Sequence, residues 1–282
     1  MNLTYLIGTV CAFLAMLYGI TFTGSGLDFG LLKNFADVTS VLIVVVCTIA
    51  VVVASFPLPM LKAIPKHFAI IFQTRRYNPV AYIEELVELA QVARKNGLLS
   101  LEERANEQKD PFFRQAIMLI VDANDPDKVR TILTNDIEMT SARHDSVIGM
   151  YEKASAVSPA FGMVGTLIGL INMLNNMDPS ASGSSTMGKD MGVALITTLY
   201  GCILAHIIFN PIASNLRTRD EEEVLCRMII VDGIMSIQSG ENPKFIKEKL
   251  LTFMTQHQRE VSMGASDTKK KAPGKSKAKG KK

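Results

Sequence analysis

"SPAFGMVGTLIGLINML" (158–174) and "LITTLYGCILAHIIFNPIA" (195–213) contain no Asp, Glu, Lys or Arg, and both are punctuated by glycine, threonine and proline. A helix in contact with water carries a charged face, whereas one surrounded by lipid tails cannot. Reading outward, the charge-free windows widen to 154–177 and 191–216, and two more lie at 1–27 and 38–61. Each accommodates the roughly 20 apolar residues that cross a hydrocarbon core. With 48% hydrophobic and only 20% charged residues, the 282-residue chain is too apolar for one soluble domain. Its 30 basic and 27 acidic residues nearly cancel, which argues against a polyanion partner. The expected fold class is an all-α integral membrane protein with four transmembrane helices. A helical cytoplasmic domain is expected between spans 2 and 3, and a helical cytoplasmic extension after span 4.

The expected segments are span 1 (1–22), an outer loop (23–36), span 2 (37–56), a cytoplasmic domain with an interfacial helix (57–153), span 3 (154–177), a second outer loop (178–190), span 4 (191–211), a helical extension (212–262) and a disordered lysine-rich tail (263–282). The apolar start has no basic n-region or small-residue cleavage site, so span 1 is expected to remain as an anchor. Segments 62–153 and 217–282 hold 13 and 15 basic residues, against one each (Lys33, Lys189) in the short connections. By the positive-inside rule both long segments, and both termini, are cytoplasmic.

"FPLPMLKAIPKHFAIIF" (56–72) places Leu61, Ile64, Phe68, Ile71 and Phe72 on one helical stripe, with His67 elsewhere, as for an amphipathic helix along the cytoplasmic leaflet. A plain connector is the other reading. Asn78-Pro79, Asp110-Pro111, Asp125-Pro126 and Asn242-Pro243 are N-cap-plus-proline starts. The first opens a helix that stops at Gly97, and the last opens one expected to run to about Val261. Ser100 with Glu103 has capping-box spacing. The pattern from Asp127 continues into span 3, and 215–237 extends span 4. The last sixteen residues hold eight lysines and no large apolar residue, so the tail either adheres to anionic lipid or solubilises the end.

No glycine-rich phosphate loop, nucleophile elbow or zinc motif occurs, and the four histidines are scattered at 67, 144, 206 and 257, so neither an enzyme nor a cofactor is expected. Cys11, Cys47, Cys202 and Cys226 show no paired spacing and read as small apolar side chains. An ion carrier usually keeps an ionisable group in its spans, yet these lack carboxylates, so any ion path must borrow one from another chain. His206 is the titratable group at depth, and a packing or snorkelling role is expected of it. Gly162, Gly165 and Gly169 in span 3 and Gly201 in span 4 suit close helix approach. Thr166, Thr197 and Thr198 lie among them, to contact a partner helix or a partly dehydrated ion, or to bond back to their own helices. Pro159 and Pro211 are read as lying at matching depths on antiparallel spans, as hinges or as static kinks. Arg94, Lys95, Glu102 and Glu103 surround a helix–turn–helix corner, a solvated corner or a docking surface.

These two spans, their Pro–Gly–Gly–Thr pattern, the Thr-Thr pair and Asn-Pro in that order resemble the pore-side helices of the MotA/PomA flagellar stator family, related to ExbB and TolQ. The resemblance extends over most of the chain except the lysine tail. It implies a pentameric ring around a MotB dimer whose single span carries an essential aspartate and whose outer domain grips peptidoglycan. Such a complex lies in the bacterial inner membrane and drives the rotor protein FliG through its cytoplasmic surface. On that resemblance Pro159 and Pro211 match the prolines coupling ion flow to movement, and Thr166 and Thr198 match pore-facing positions. Arg94 and Glu102, with Lys95 beside them, match the charges that meet the rotor. His206 departs from the usual asparagine or aromatic residue. The implied ion is a proton, with sodium the alternative. The rival expectations are an ExbB/TolQ-like energiser, which usually has three spans, and a non-conducting membrane scaffold.

Overall fold

The structure is a computed structural model and describes residues 3–23, 26–72, 77–176, 183–256 and 259, with side chains except at 3–6, 23 and 183–186. The lysine tail expected to be disordered, His257 and part of the second outer loop lie outside the described residues.

Helix α1 (Leu3–Thr21) ends in a two-residue antiparallel pair, β1 (Phe22–Thr23) with β2 (Gly26–Leu27), followed by a 3₁₀ turn (Phe29–Phe35). Span 2 is built from α2 (Val38–Val41), a π-helical stretch (Leu42–Val46) and α3 (Cys47–Ser55). Asp37 caps it by accepting from the Ser40 amide at 2.7 Å. Then come α4 (Leu58–Lys62), α5 (Ile64–Phe72), α6 (Pro79–Asn96), α7 (Leu101–Glu107) and α8 (Pro111–Val121). Helix α9 (Pro126–Asn175) is 50 residues long. Helix α10 (Gly183–Ile203) passes through a second π-helical stretch (Leu204–Phe209) into α11 (Asn210–Gln238), and α12 (Pro243–Leu251) closes the described fold.

Three helical stretches are long and apolar enough to cross a membrane: Val38–Ser55, part of α9, and part of Met187–Gln238. The 19-residue α1, about 28 Å long at 1.5 Å per residue, supplies the fourth apolar helix. The chain divides into two compact units, residues 1–75 with 141–220, and residues 76–140 with 221–282.

The first unit contains all four apolar helices and exposes much of their apolar surface, including Leu14, Val46, Leu167, Ile171 and Leu195. In water this would be a liability; against lipid tails or neighbouring apolar helices it is the expected surface. Below span 2, Ile71, Ile148, Met150, Tyr151, Ile212 and Ala213 form a small core. The stripe expected in 56–72 is met in part: Ile71 is buried and Leu61 and Ile64 pack against this small core, while Phe68 and Phe72 are exposed. The buried face of α5 instead includes His67, whose Nδ1 lies 3.2 Å from the Tyr151 hydroxyl. Burial lowers the His67 pKa below that of a free imidazole.

The second unit is an ordinary helical core. Leu86, Leu101, Phe113, Ile117, Leu133, Ile229 and Leu250, from six helices, are each fully buried. All four predicted N-caps form: Asn78, Asp110, Asp125 and Asn242 each accept from a backbone amide near the helix start. Two local expectations are corrected. Ser100 does not cap α7 but donates to the Gly97 carbonyl at 2.7 Å, because the 3₁₀ turn Leu98–Ser100 leads directly into that helix. Helix α12 ends at Leu251, where Thr252, Phe253 and Met254 turn back through successive hydrogen bonds to the third residue before each; Gln256 and Arg259 are helical again, and Val261 lies outside the described residues.

Gly97 stands at φ 83°, ψ 167°, a conformation essentially restricted to glycine. Gly97→Ala is expected to cost about 1–3 kcal/mol, read as a lower melting temperature of the purified protein. Gly149→Ala, in α9 with open space around a new Cβ, is the comparison and should be neutral or slightly stabilising.

Candidate functional site

The site is built where α9 and α10 run antiparallel with almost no side chain between them. A Cβ added to Gly165 would meet the Thr197 side chain at 2.5 Å, and one on Gly169 would meet Ala194 Cβ and the Asp190 carbonyl at 2.8 Å. A Cβ on Gly162 would lie 3.1 Å from the Thr197 carbonyl, and one on Gly201 would lie 2.7 Å from the Ser158 carbonyl and 3.0 Å from Pro159 Cα. Lipid tails supply no hydrophobic drive for helices to associate, so this seam is held by close van der Waals contact and hydrogen bonds. Ser155 adds one across it, donating to the Ala205 carbonyl at 3.3 Å.

The three threonines separate. Thr197 is fully buried and bonds to its own helix, at 3.0 Å to Val193 O and 2.9 Å to Ala194 O, while its side chain fills the space above Gly165. That is a packing environment. Thr166 and Thr198 also bond back, to Gly162 O at 3.1 Å and Ala194 O at 3.4 Å, but in addition they meet hydroxyl to hydroxyl at 2.6 Å across the seam, with Thr198 exposed and Thr166 half-buried. Thr166 Oγ1 also lies 3.0 Å from the Ala194 carbonyl. Two hydroxyls and a carbonyl therefore converge at an open face of otherwise apolar helices. They can accept from a proton donor or replace part of an ion's hydration shell, but cannot themselves bind and release a proton near neutral pH.

Among the described residues no carboxylate stands beside them. Asp190, in the first half of α10, is engaged by Asn176 Nδ2 at 3.0 Å, and lies eight residues, about 12 Å of helix, from Thr198. Below Thr198 the exposed positions on the same helical line are Cys202, His206 and Asn210, and His206 Nδ1 lies 3.3 Å from Asn210 Nδ2. His206 is thus exposed in the isolated chain, and sequence reasoning had no means of orienting it.

The expected matching depth of the two prolines is corrected. Pro159 sits opposite Gly201, while Pro211 lies ten residues, about 15 Å, further along, beside Ile212 in the small core with Met150 and Tyr151. Helix α9 runs unbroken through Pro159. Just before Pro211 the backbone is π-helical, the wider winding that commonly absorbs an interrupted ladder.

In the second unit the α6–α7 corner presents Arg94, Lys95, Glu102 and Glu103, all exposed. The two bases occupy the last turn of α6 and the two acids the first turn of α7, where each helix dipole favours that sign. None of the four belongs to an ion pair among the described residues.

Residues 104–230 match the model of the MotA/TolQ/ExbB proton channel family. The chain is 40% identical over 255 residues to motility protein A of Borreliella burgdorferi, covering 90% of this chain and 95% of that protein. It is 38% identical over 263 residues to the chemotaxis protein PomA of Vibrio alginolyticus, covering 93% and 99%. The fold superposes on a chain of the flagellar MotAB stator complex of Bacillus subtilis with a TM-score of 0.78 at 29% identity, covering 95% of this chain and 98% of that one. For C. jejuni MotAB the TM-score is 0.79 at 25% identity, covering 91% and 97%. These relatives favour the motility proteins over the ExbB-like and scaffold alternatives. A multi-pass membrane protein whose glycine seam carries an open hydroxyl pair, the chain belongs to the MotA/TolQ/ExbB proton channel family as a flagellar stator subunit.

Proposed function

We propose that this subunit forms the ion-path wall of a rotary stator in the bacterial inner membrane, with the second unit and both termini in the cytoplasm. The observation that carries the reading is the Thr166–Thr198 pair: hydroxyls held at 2.6 Å on an exposed face of the membrane helices, with no carboxylate at their depth among the described residues. Such a face is functionally incomplete, because a hydroxyl can relay or coordinate an ion but cannot store a proton between steps. The missing acid comes from the single span of a MotB-type partner, anchored to peptidoglycan by its outer domain. Copies of this chain, five by family resemblance, surround the partner dimer, and ion binding to the partner's aspartate moves the ring around it. Protons are favoured over sodium.

Pro159 and Pro211 mark the two ends of the segment that responds, Pro159 opposite Gly201 in the seam and Pro211 at the π-helical exit. Arg94, Lys95 and Glu102 face the rotor protein FliG. The topology rests on the basic-residue asymmetry, 13 and 15 in the long segments against one in each short connection.

Affinity purification of the tagged chain from solubilised membranes is the test. The expected result is co-purification of a single-span protein with an intramembrane aspartate and a peptidoglycan-binding domain, and swimming that persists when potassium replaces sodium. Normal flagellar rotation after deletion of the chain, with no other stator present, would sink the reading. Loss of swimming only in potassium would reverse the choice of ion.

A further inference from the structure

Leu99 is 74% exposed, more than Met139 at 58% or Phe245 at 55%, the next most exposed large apolar side chains of the second unit. A lone surface leucine is ordinary, but this one is held outward by a rigid corner. Gly97 takes its glycine-only conformation, Ser100 Oγ ties back to the Gly97 carbonyl, Leu98 packs on the core and Leu101 is fully buried. With both neighbouring leucines committed inward, Leu99 has no inward alternative. It borders an open groove of about 600 Å³ that Val92, Asn96, Ser100 and Glu103 also line. Arg94 and Lys95 flank the corner on the α6 side and Glu102 and Glu103 on the α7 side, all exposed and without an ion pair among the described residues.

An apolar centre with a charged rim, fixed before contact, is the composition of a protein–protein hot spot. We infer that Leu99 is the apolar anchor of the torque contact, seated in a rotor surface that offers an acidic side chain to Arg94 and Lys95, a basic one to Glu102 and Glu103, and an apolar socket between them. The chemistry of that surface follows by charge complementarity from the order of charges on the corner: the pairs of opposite sign set orientation and encounter rate, while burial of Leu99 supplies residence. This rests on the stator reading and adds to it a residue that charge alone does not point to.

The test uses full-length complexes in cells, with fluorescently tagged stators counted at the motor and swimming speed recorded. Leu99→Asn is expected to lower motor-bound complexes about tenfold or more at unchanged protein level and melting temperature, because the side chain is exposed in the free subunit. Leu99→Met should retain most of the binding. Normal recruitment of Leu99→Asn alongside impaired Arg94→Glu overturns the anchor and leaves the stator reading standing. Equal loss in Leu99→Asn and Leu99→Met also overturns it, since any change at the corner would then suffice. Normal rotation in the deletion strain removes both.

Discussion

Gly201→Val is expected to give cells that make the chain but do not swim, and a purified protein whose melting temperature falls by many degrees. The nearest atoms to a Cβ at this position are backbone, the Ser158 carbonyl oxygen at 2.7 Å and Pro159 Cα at 3.0 Å. A side chain in the way can rotate aside; a carbonyl and a proline ring in the middle of a 50-residue helix cannot. Overpacking in a close-packed interior costs about 1–3 kcal/mol when side chains absorb it, and separating the helices here removes the contacts that hold the seam together. Gly192→Val in the same helix is the control, because nothing lies within 4 Å of its Cβ position. Equal melting temperatures and equal swimming for the two variants would show that α9 and α10 do not approach as closely as described.

Thr198→Val is expected to reduce ion-driven rotation about tenfold or more, whereas Thr197→Val leaves the rate within about twofold, although the two residues are adjacent. Thr198 shares a 2.6 Å hydrogen bond with Thr166 on the open face, so valine there removes a group from the ion's route and leaves Thr166 only the Gly162 and Ala194 carbonyls. Thr197 returns its hydroxyl to carbonyls of its own helix, and hydrogen bonds within membrane helices are worth only about 0.6 kcal/mol on average. The cost of Thr197→Val should therefore appear in melting temperature, not in ion uptake by vesicles containing the whole complex. Thr166→Val should resemble Thr198→Val, and the double variant should be little worse than either, because both remove the same contact. A Thr197→Val complex as defective in uptake as Thr198→Val would refute this division of roles.

Much of this architecture was legible because the bilayer imposes a local rule. Charge-free windows of sufficient length announce the apolar helices without reference to any partner in the fold. Cap-plus-proline pairs are equally local: Asn78, Asp110, Asp125 and Asn242 each satisfy an amide two residues away, so sequence alone locates those helix starts. Ser100–Glu103 has the spacing of a cap and none of its geometry, because the 3₁₀ turn before it is set by the burial of Leu98 and Leu101.

From composition and spacing the sequence determined an all-α membrane chain, the positions of its apolar helices, the lack of carboxylates in its spans and the glycines that let two of them meet. Tertiary structure alone decided that Thr198 faces outward while Thr197 is buried, that Pro159 pairs in depth with Gly201 and not with Pro211, that His67 turns inward, and that Leu99 is left outside. The physical reason is that hydropathy is a property of each residue and its near neighbours. The rotation and axial register of one helix against another are chosen by contacts between residues dozens of positions apart, and a shift of one residue turns a helix by about 100° and exchanges a buried hydroxyl for an exposed one.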